Sequence, residues 1–269
     1  MLVMYKASII LSSYNNLSAL KLSIESLKYQ TEKDFEIIIA DDGSTDETVE
    51  YLKKEGIKYF NRPNEGYRLA YIWNRGAELA TGDRLIFGNS DIIWSPDHIY
   101  SHLQFAGDVV AGSYPSIPIN KVPLVTKDLI KNNFSFIRSL SNKDRRSRFI
   151  EKTEKPYIFD GKDTVARRMH GGNWSCTRKD FDEVGGLDEN FKGWGGEDFD
   201  IARRLSRLGK SIKFCLQTIG FHLDHDKNPK QFTSHLGKSY FNKKWDLISK
   251  GLSEDSAKLK AYSEVFPNG

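Results

Sequence analysis

Apolar and polar positions alternate in blocks along the first half of the chain. Ala7-Ser8-Ile9-Ile10-Leu11-Ser12 and Phe35-Glu36-Ile37-Ile38-Ile39-Ala40 are short apolar runs, the second rich in β-branched residues, and both have the character of buried strands. Ile57 to Phe60, Arg84 to Phe87 and Val109 to Ser113 supply a third, fourth and fifth strand. Between them apolar residues recur at helical spacing, as Leu20, Ile24 and Leu27, then as Leu69, Ile72, Trp73 and Ala77. Ser44-x-x-Glu47 has the form of a capping box opening a helix through about Lys54, and Ser95-Pro96 pairs an N-cap with proline at the first helical position. This rhythm predicts an α/β fold. Its central sheet is mostly parallel with helices on both faces, and ligands bind outside the carboxyl ends of the strands.

The second half has a different texture. Residues 127–155 carry nine Lys or Arg against four Asp or Glu, with little periodicity. That suits either a solvated insertion or a basic flap facing an acceptor or an anionic lipid surface. Thr177-x-x-Asp180 caps a short helix that stops at Gly185-Gly186, a strand is expected over Ser211 to Leu216, and the tail from Gln231 is charged and helical in pattern. Gly193-Trp194-Gly195-Gly196-Glu197-Asp198 carries the densest information. Its glycines permit a sharp turn and close approach of a ligand. Ile201, Ala202, Leu205 and Leu208 then continue as an apolar helix face. The two carboxylates fall in its first turn, where free N–H groups and the helix dipole favour their ionised form. A capped helix terminus accounts for the carboxylates alone. The preceding tryptophan adds what a sugar site needs, a flat ring beside a base for a hydroxyl proton.

Composition narrows the classes. In 269 residues, 39% are hydrophobic and 28% charged, as in a globular protein. A net charge of +4 is too mild for nucleic-acid binding but suits an anionic substrate or a membrane surface. Cys176 and Cys215 form neither a disulfide framework nor a metal-type pair. No apolar run approaches the roughly 18 residues of a membrane span. Residues 1–10 also lack the apolar length of a signal peptide. The expected location is the cytosol, with peripheral contact to the inner face of the membrane.

Three strand ends are chemically loaded: Ser12-Ser13-Tyr14-Asn15, Asp41-Asp42-Gly43-Ser44 and Gly88-Asn89-Ser90-Asp91. On one edge of a parallel sheet they would bring together a flat ring, acceptors for base and ribose, and a carboxylate for a metal, the outline of a nucleotide site. Neither a dinucleotide-binding glycine fingerprint nor a P-loop is present. His222 and His225, three apart, have metal-ligand spacing; His222 is the stronger candidate because it follows an apolar stretch, whereas His225 suits a surface residue.

These motifs together resemble the inverting GT-A glycosyltransferases of the family-2 type. The C-terminal half is similar to the β-1,4-galactosyltransferases and the bacterial chondroitin polymerase N-acetylgalactosaminyltransferase domain. The resemblance is carried by the three strand-end clusters, Arg68-Leu69-Ala70 with Asn74, Gly171-Gly172-Asn173-Trp174-Ser175, Phe181 to Phe191, Gly193 to Asp198, and His222; residues 115–167 and the last thirty or so lie outside it. It implies a single GT-A domain over residues 1–269. This divides into a nucleotide-binding half (1–114), a basic insertion (115–168), an acceptor and catalytic part (169–226) and a helical tail (227–269). It implies transfer of galactose or N-acetylgalactosamine from a UDP-sugar to a glycan or lipid-linked glycan. Ser12, Tyr14, Asp42, Arg68, Asn89 and Ser90 would bind the nucleotide, Asp91 and His222 would bind Mn²⁺ or Mg²⁺, and Trp194, Glu197, Gly172 and Asn173 would line the acceptor and sugar sites, with Asp198 as base. One position departs from the pattern: Asn89 stands first in the family's Asp-x-Asp, removing a negative charge from the metal's surroundings. Transfer of another sugar from a UDP or dTDP donor, and a catalytically silent sugar-nucleotide or glycan-binding module, are the alternatives.

Overall fold

The computed structural model describes residues 4–105, 109–144, 169, 171–226 and 235–267. Among the described residues nine strands form one sheet: β1 (Ala7–Ser13), β2 (Phe35–Asp41), β3 (Lys58–Asn61), β4 (Arg84–Asn89), β5 (Ile92–Trp94), β6 (Val109–Ser113), β7 (Ser116–Ile117), β8 (Asn173–Thr177) and β9 (Ile212–Leu223). Their order is β3-β2-β1-β4-β8-β6-β9-β5, with β7 also pairing β9. Parallel pairing links β3, β2, β1 and β4, and links β6 and β7 to β9. The expected mostly parallel α/β sheet is present.

The sheet differs from the expected one in two places. β8 is inserted between β4 and β6 and runs antiparallel to both. Its sequence Asn-Trp-Ser-Cys-Thr does not look like a core strand. It is tolerated because Ser175 and Asn173 share the two ring nitrogens of buried His102 at 2.8 and 3.2 Å. β9 runs past the expected Leu216 to Leu223, with a register shift between its pairings to Gly112 and Ser113.

α1 (Leu17–Lys28) and α3 (Leu69–Leu79) cover opposite faces. Side-chain alternation along the strands explains why: Ile10 and Ile38 pack with Ala70, Ile72 and Trp73, whereas Ile9, Leu11 and Ile39 pack with Leu20, Ile24 and Leu27. α2 (Thr48–Glu55) begins one residue beyond the predicted capping box, and that box does not form. Ser44 instead donates to Asp41 at 2.5 Å, and Asp46 accepts the Thr48 N–H at 3.1 Å. α4 (His98–Leu103) likewise starts after Ser95-Pro96, and Ser95 contributes its carbonyl rather than a side-chain cap.

Residues 127–144 are not the aperiodic loop expected. α5 (Lys127–Asn132) and α6 (Phe134–Leu140) are capped by Thr126 and Asn133 and bury Ile130, Ile137 and Leu140 against Ile93, Phe221 and Leu223. Helices of six and seven residues bury only one or two side chains each, too few for periodicity to register. The remainder of the basic stretch, 145–155, lies outside the described residues.

α7 (Arg178–Glu183) is capped by Thr177 as expected, and Gly185 and Gly186 end it with φ of 74° and 67°. α8 (Glu197–Arg207) follows, and the tail forms α9 (Leu236–Ser249) and α10 (Glu254–Val265). A buried ionic knot joins them. Lys244 on α9 has no exposed surface and bonds Asp188 at 2.9 Å and Asp200 of α8 at 2.7 Å. Tyr240 donates to Asp188, Trp245 donates to Asp200, and Arg204 bonds Asp200 at 2.8 Å. Arg204 also donates to the Val184 and Gly186 carbonyls. Burial works to raise the Asp188 pKa, but the Lys244 charge overrides it and holds the carboxyl below its usual range. Lys244→Met should lower stability by about 3–5 kcal/mol, because buried Asp188 loses its cation and Asp200 is left with Arg204 alone. A chemical-denaturation curve within 1 kcal/mol of wild type, roughly the level of an exposed pair, would contradict this account.

Candidate active site

The strand register brings the predicted clusters to one edge. Ser12 pairs with Asn89 across β1 and β4, and Ser13 pairs with Asp41 across β1 and β2. Ser12 Oγ donates to Asn89 Oδ1 at 2.9 Å, and the Ser90 N–H donates to the Ser12 carbonyl at 2.8 Å. Asp41 is fully buried and frames the loop, accepting from the Gly43 and Ser44 N–H groups, Ser44 Oγ and Asn61. Asn15, at φ 46°, reaches the same loop by accepting from Thr45 and Asp46. Tyr14 is half-buried, and its hydroxyl accepts from Asn64 at 2.7 Å.

Asp42 is held between Arg62 Nε at 2.7 Å and the Arg68 N–H at 3.1 Å. Burial pushes its pKa up, against the pull of those two donors. The Arg68 guanidinium turns toward the Glu189 carbonyl at 3.2 Å, so at this edge Arg62, which the sequence did not single out, is the cation on Asp42.

Asp91 lies just beyond β4, where the β5–β9 ladder fixes it. Ile92 pairs with His222, and the Leu223 N–H donates to the Asp91 carbonyl at 2.8 Å. Its carboxylate Oδ2 is 3.4 Å from both His222 Nε2 and His225 Nε2. One potential ligand atom from each of the three residues falls within a 4.8 Å cluster. Burial works to raise Asp91, but the two histidines override it and leave the carboxyl at about 2. The Asp91 bond raises His225 to about 9; it also raises His222, against burial. Asp91 Oδ1 is buried without a protein partner, so the cluster fits a divalent cation: an anion, two imidazoles and an unsatisfied acceptor. His225, read from sequence as a satisfied core or surface residue, is exposed and also belongs to this cluster.

On the facing side, Gly196 turns the chain at φ 105° into α8, placing Glu197 and Asp198 in the first turn as expected. Asp198 Oδ2 accepts the Gly171 N–H at 3.0 Å and Oδ1 accepts the Phe199 N–H at 2.8 Å. Trp194 is 41% exposed on the preceding loop. Gly172 makes room for a ring, since a Cβ there would overlap Tyr114, and Tyr114 in turn lies 5.2 Å from His222 between ring centroids. Gly171-Gly172 and Tyr114 thus connect Asp198 to the Asp91 cluster. Half-buried Tyr67, missed in the sequence, joins the same edge; its carbonyl accepts the Gly193 N–H at 3.1 Å. Burial and the charges of Glu197 and Asp198 push its phenol well up, so it stays a donor.

Two expectations need correction. Asn173 does not line the acceptor site. Its side chain is fully buried and its amide donates to the Ser113 and Thr218 carbonyls, each at 2.8 Å. Glu197 is not held ionised by the helix dipole. Burial first, and the Asp198 charge second, push it up to about 8. Its Oε2 is buried without a partner.

With this geometry in place, comparison with known proteins is direct. The glycosyl transferase family 2 profile matches residues 8–185, and the chain belongs to that family. This match runs through residues 115–167, which the motifs alone had left outside. A second profile, described as the N-terminal domain of galactosyltransferase, matches residues 161–226. Validoxylamine A glucosyltransferase from Streptomyces hygroscopicus subsp. jinggangensis is 30% identical over 251 residues, covering 85% of this chain and 58% of that protein. Chondroitin synthase from Escherichia coli is 26% identical, covering 86% of this chain and 37% of that protein. The chain thus spans about half to two thirds of the length of the first curated relatives it matches. The fold is that of GT-A glycosyltransferases. A mannosyltransferase from Pyrobaculum calidifontis, solved with GDP-Man and Mn²⁺, superposes with TM-score 0.60 at 12% identity over 98% of this chain and 70% of its own. GalNAc-T7 with UDP, GalNAc and Mn²⁺ superposes with TM-score 0.60 at 18% identity over 97% of this chain and 54% of its own.

Folding raises the Glu197 pKa. The folded state binds this proton more tightly than the unfolded chain, so Glu197 costs stability as pH rises from its ordinary value of 4.5 to about 8. Glu197→Gln should flatten the fall in stability across that window. An unchanged pH–stability slope in the variant would show that Glu197 is ionised in the folded protein.

Proposed function

We propose that the chain is an inverting glycosyltransferase. It would move a hexose, galactose or N-acetylgalactosamine, from a UDP-sugar to a hydroxyl of a glycan or lipid-linked glycan. One observation carries this reading: Asp198, buried at the head of α8 and four residues after Trp194, is joined through Gly171-Gly172 and Tyr114 to the Asp91–His222–His225 cluster. Inversion needs a base on the acceptor side of the sugar and a cation on the diphosphate side, and Asp198 and the Asp91 cluster would serve these two ends. Asp198 would take the acceptor proton. Glu197, kept protonated, would donate to or accept from a sugar hydroxyl, and Trp194 would stack on the sugar face. Ser12, Tyr14, Asp42 and Asn89 would frame uracil and ribose, and Ser90 would offer its backbone along the same edge. Asp91, His222 and His225 would hold Mn²⁺, favoured by the imidazoles, or Mg²⁺, and that ion would stabilise the departing UDP. The galactosyltransferase profile favours galactose-type donors, and the glucosyltransferase relative makes UDP-glucose the control.

The basic insertion supports peripheral contact with an anionic surface. Ile119, Leu124 and Phe136 are 50%, 49% and 40% exposed, among exposed Lys127, Lys131 and Arg138. Among the described residues, no helix is long and apolar enough to cross a membrane. Replacing Lys127, Lys131 and Arg138 by Ser should weaken binding to phosphatidylserine vesicles, by about 1 kcal/mol per cation. Equal sedimentation of variant and wild type would remove the membrane from the proposal.

Asp198→Asn should lower kcat by ~10²–10⁴-fold with UDP affinity retained. Near-normal turnover would reject Asp198 as base. Asp91→Ala and His225→Ala should each weaken Mn²⁺-dependent UDP binding in a calorimetric titration; binding that is indifferent to chelator would reject the metal assignment.

A further inference from the structure

The tail helix α9 does more than cover the core. Its first turn lies against the backbone of the tryptophan loop. A Cβ on Gly237 would overlap the Gly195 carbonyl oxygen and sit 3.1 Å from the carbonyl oxygens of both Gly193 and Trp194. Three consecutive carbonyls of the loop therefore rest on one glycine of the tail. The contact is reciprocal, since a Cβ on Gly196 would lie 3.2 Å from the Gly237 carbonyl and 3.0 Å from Phe241 Cβ. Gly193, Gly195 and Gly196 all have positive φ, at 78°, 91° and 105°, so the loop has little side-chain packing of its own to hold its path. A turn further along, Phe241 meets Phe199 edge-on at 6.2 Å, and two turns along, Lys244 and Trp245 fasten Asp200.

We infer that Gly237 is a positioning residue for the acceptor side of the site. By admitting the 193–195 carbonyls against α9, it sets where Trp194 stands relative to Glu197 and Asp198. The Lys244 knot fixes α8, and the Gly237 contact fixes the loop that feeds it, so the tail determines the spacing between ring and carboxylates. This rests on the transferase proposal for its functional meaning, but the contact itself is testable without substrate. Every added atom at Gly237 pushes on backbone rather than on the end of a flexible side chain, so the loop must move.

The test compares Gly237→Ala with Ala257→Gly, a change at a buried position of α10 chosen to loosen the tail. Backbone hydrogen exchange at residues 193–198 and titration with UDP and Mn²⁺ are measured on the intact chain. Hydrolysis of UDP-N-acetylgalactosamine and UDP-galactose is followed alongside. The expected result is faster exchange at 193–198 in Gly237→Ala, by tenfold or more, with UDP affinity within twofold of wild type. Hydrolysis should fall at least tenfold, mainly in kcat. Ala257→Gly, at matched loss of Tm, should leave loop exchange and kcat near wild type. Unchanged loop exchange in Gly237→Ala, or the same loop exchange and kcat in both variants at equal Tm, would overturn the inference. If wild type hydrolyses neither sugar nucleotide, the transferase proposal fails; the exchange difference alone then decides whether Gly237 sets the loop.

Discussion

One buried cation holds the second half of this molecule together. Lys244 has no exposed surface, and it touches Asp188, at the end of the Gly-Gly-Leu turn, and Asp200, one turn into the helix that carries Glu197 and Asp198. Burying one ammonium and two carboxylates is costly unless every lone pair finds a donor. Here Tyr240, Trp245 and Arg204 supply those donors, and Arg204 also reaches the carbonyls that the turn leaves over. An apolar contact could have joined the tail to α8. An ionic knot also fixes rotation and register, because only one placement of α9 satisfies all its members.

The site then divides its carboxylates by environment. Asp91 meets two imidazoles and is held ionised at about 2, ready for a hard cation. Glu197 meets burial and its neighbour Asp198, and is pushed up to about 8. Burial, and then the charge of its neighbour Asp198, both favour the protonated form of Glu197. At Glu197 the helix dipole, which favours the anion, is outweighed by desolvation.

Much of this was legible in the sequence, where local rules and tertiary demands agree. The apolar runs at Ile9 to Leu11 and Ile37 to Ile39 are buried strands, and the three polar clusters after β1, β2 and β4 do meet at one edge. What was not legible depends on competing partners, most of them distant in sequence. Asn173 sits within a conspicuous Gly-Gly-Asn motif, yet its amide is consumed by Ser113 and Thr218 inside the sheet. His225 is exposed like any surface residue, and only the fold shows that Asp91 lies beside it. Ser44-x-x-Glu47 spells a capping box, but Asp41 captures the serine first. Lys244 is one lysine among many in a charged tail, and only the packing of α9 on α8 shows that it is the buried one.

The central claim is that Asp198 and the Asp91 cluster serve opposite sides of one transferring sugar. The most direct measurement is proton NMR of the sugar first released when the protein and Mn²⁺ act on UDP-galactose or UDP-N-acetylgalactosamine, with water as acceptor. A single base acting opposite the departing UDP predicts that the β-anomer appears first, followed by slow mutarotation. Initial release of the α-anomer would mean retention, and would contradict the roles assigned to both sets of residues.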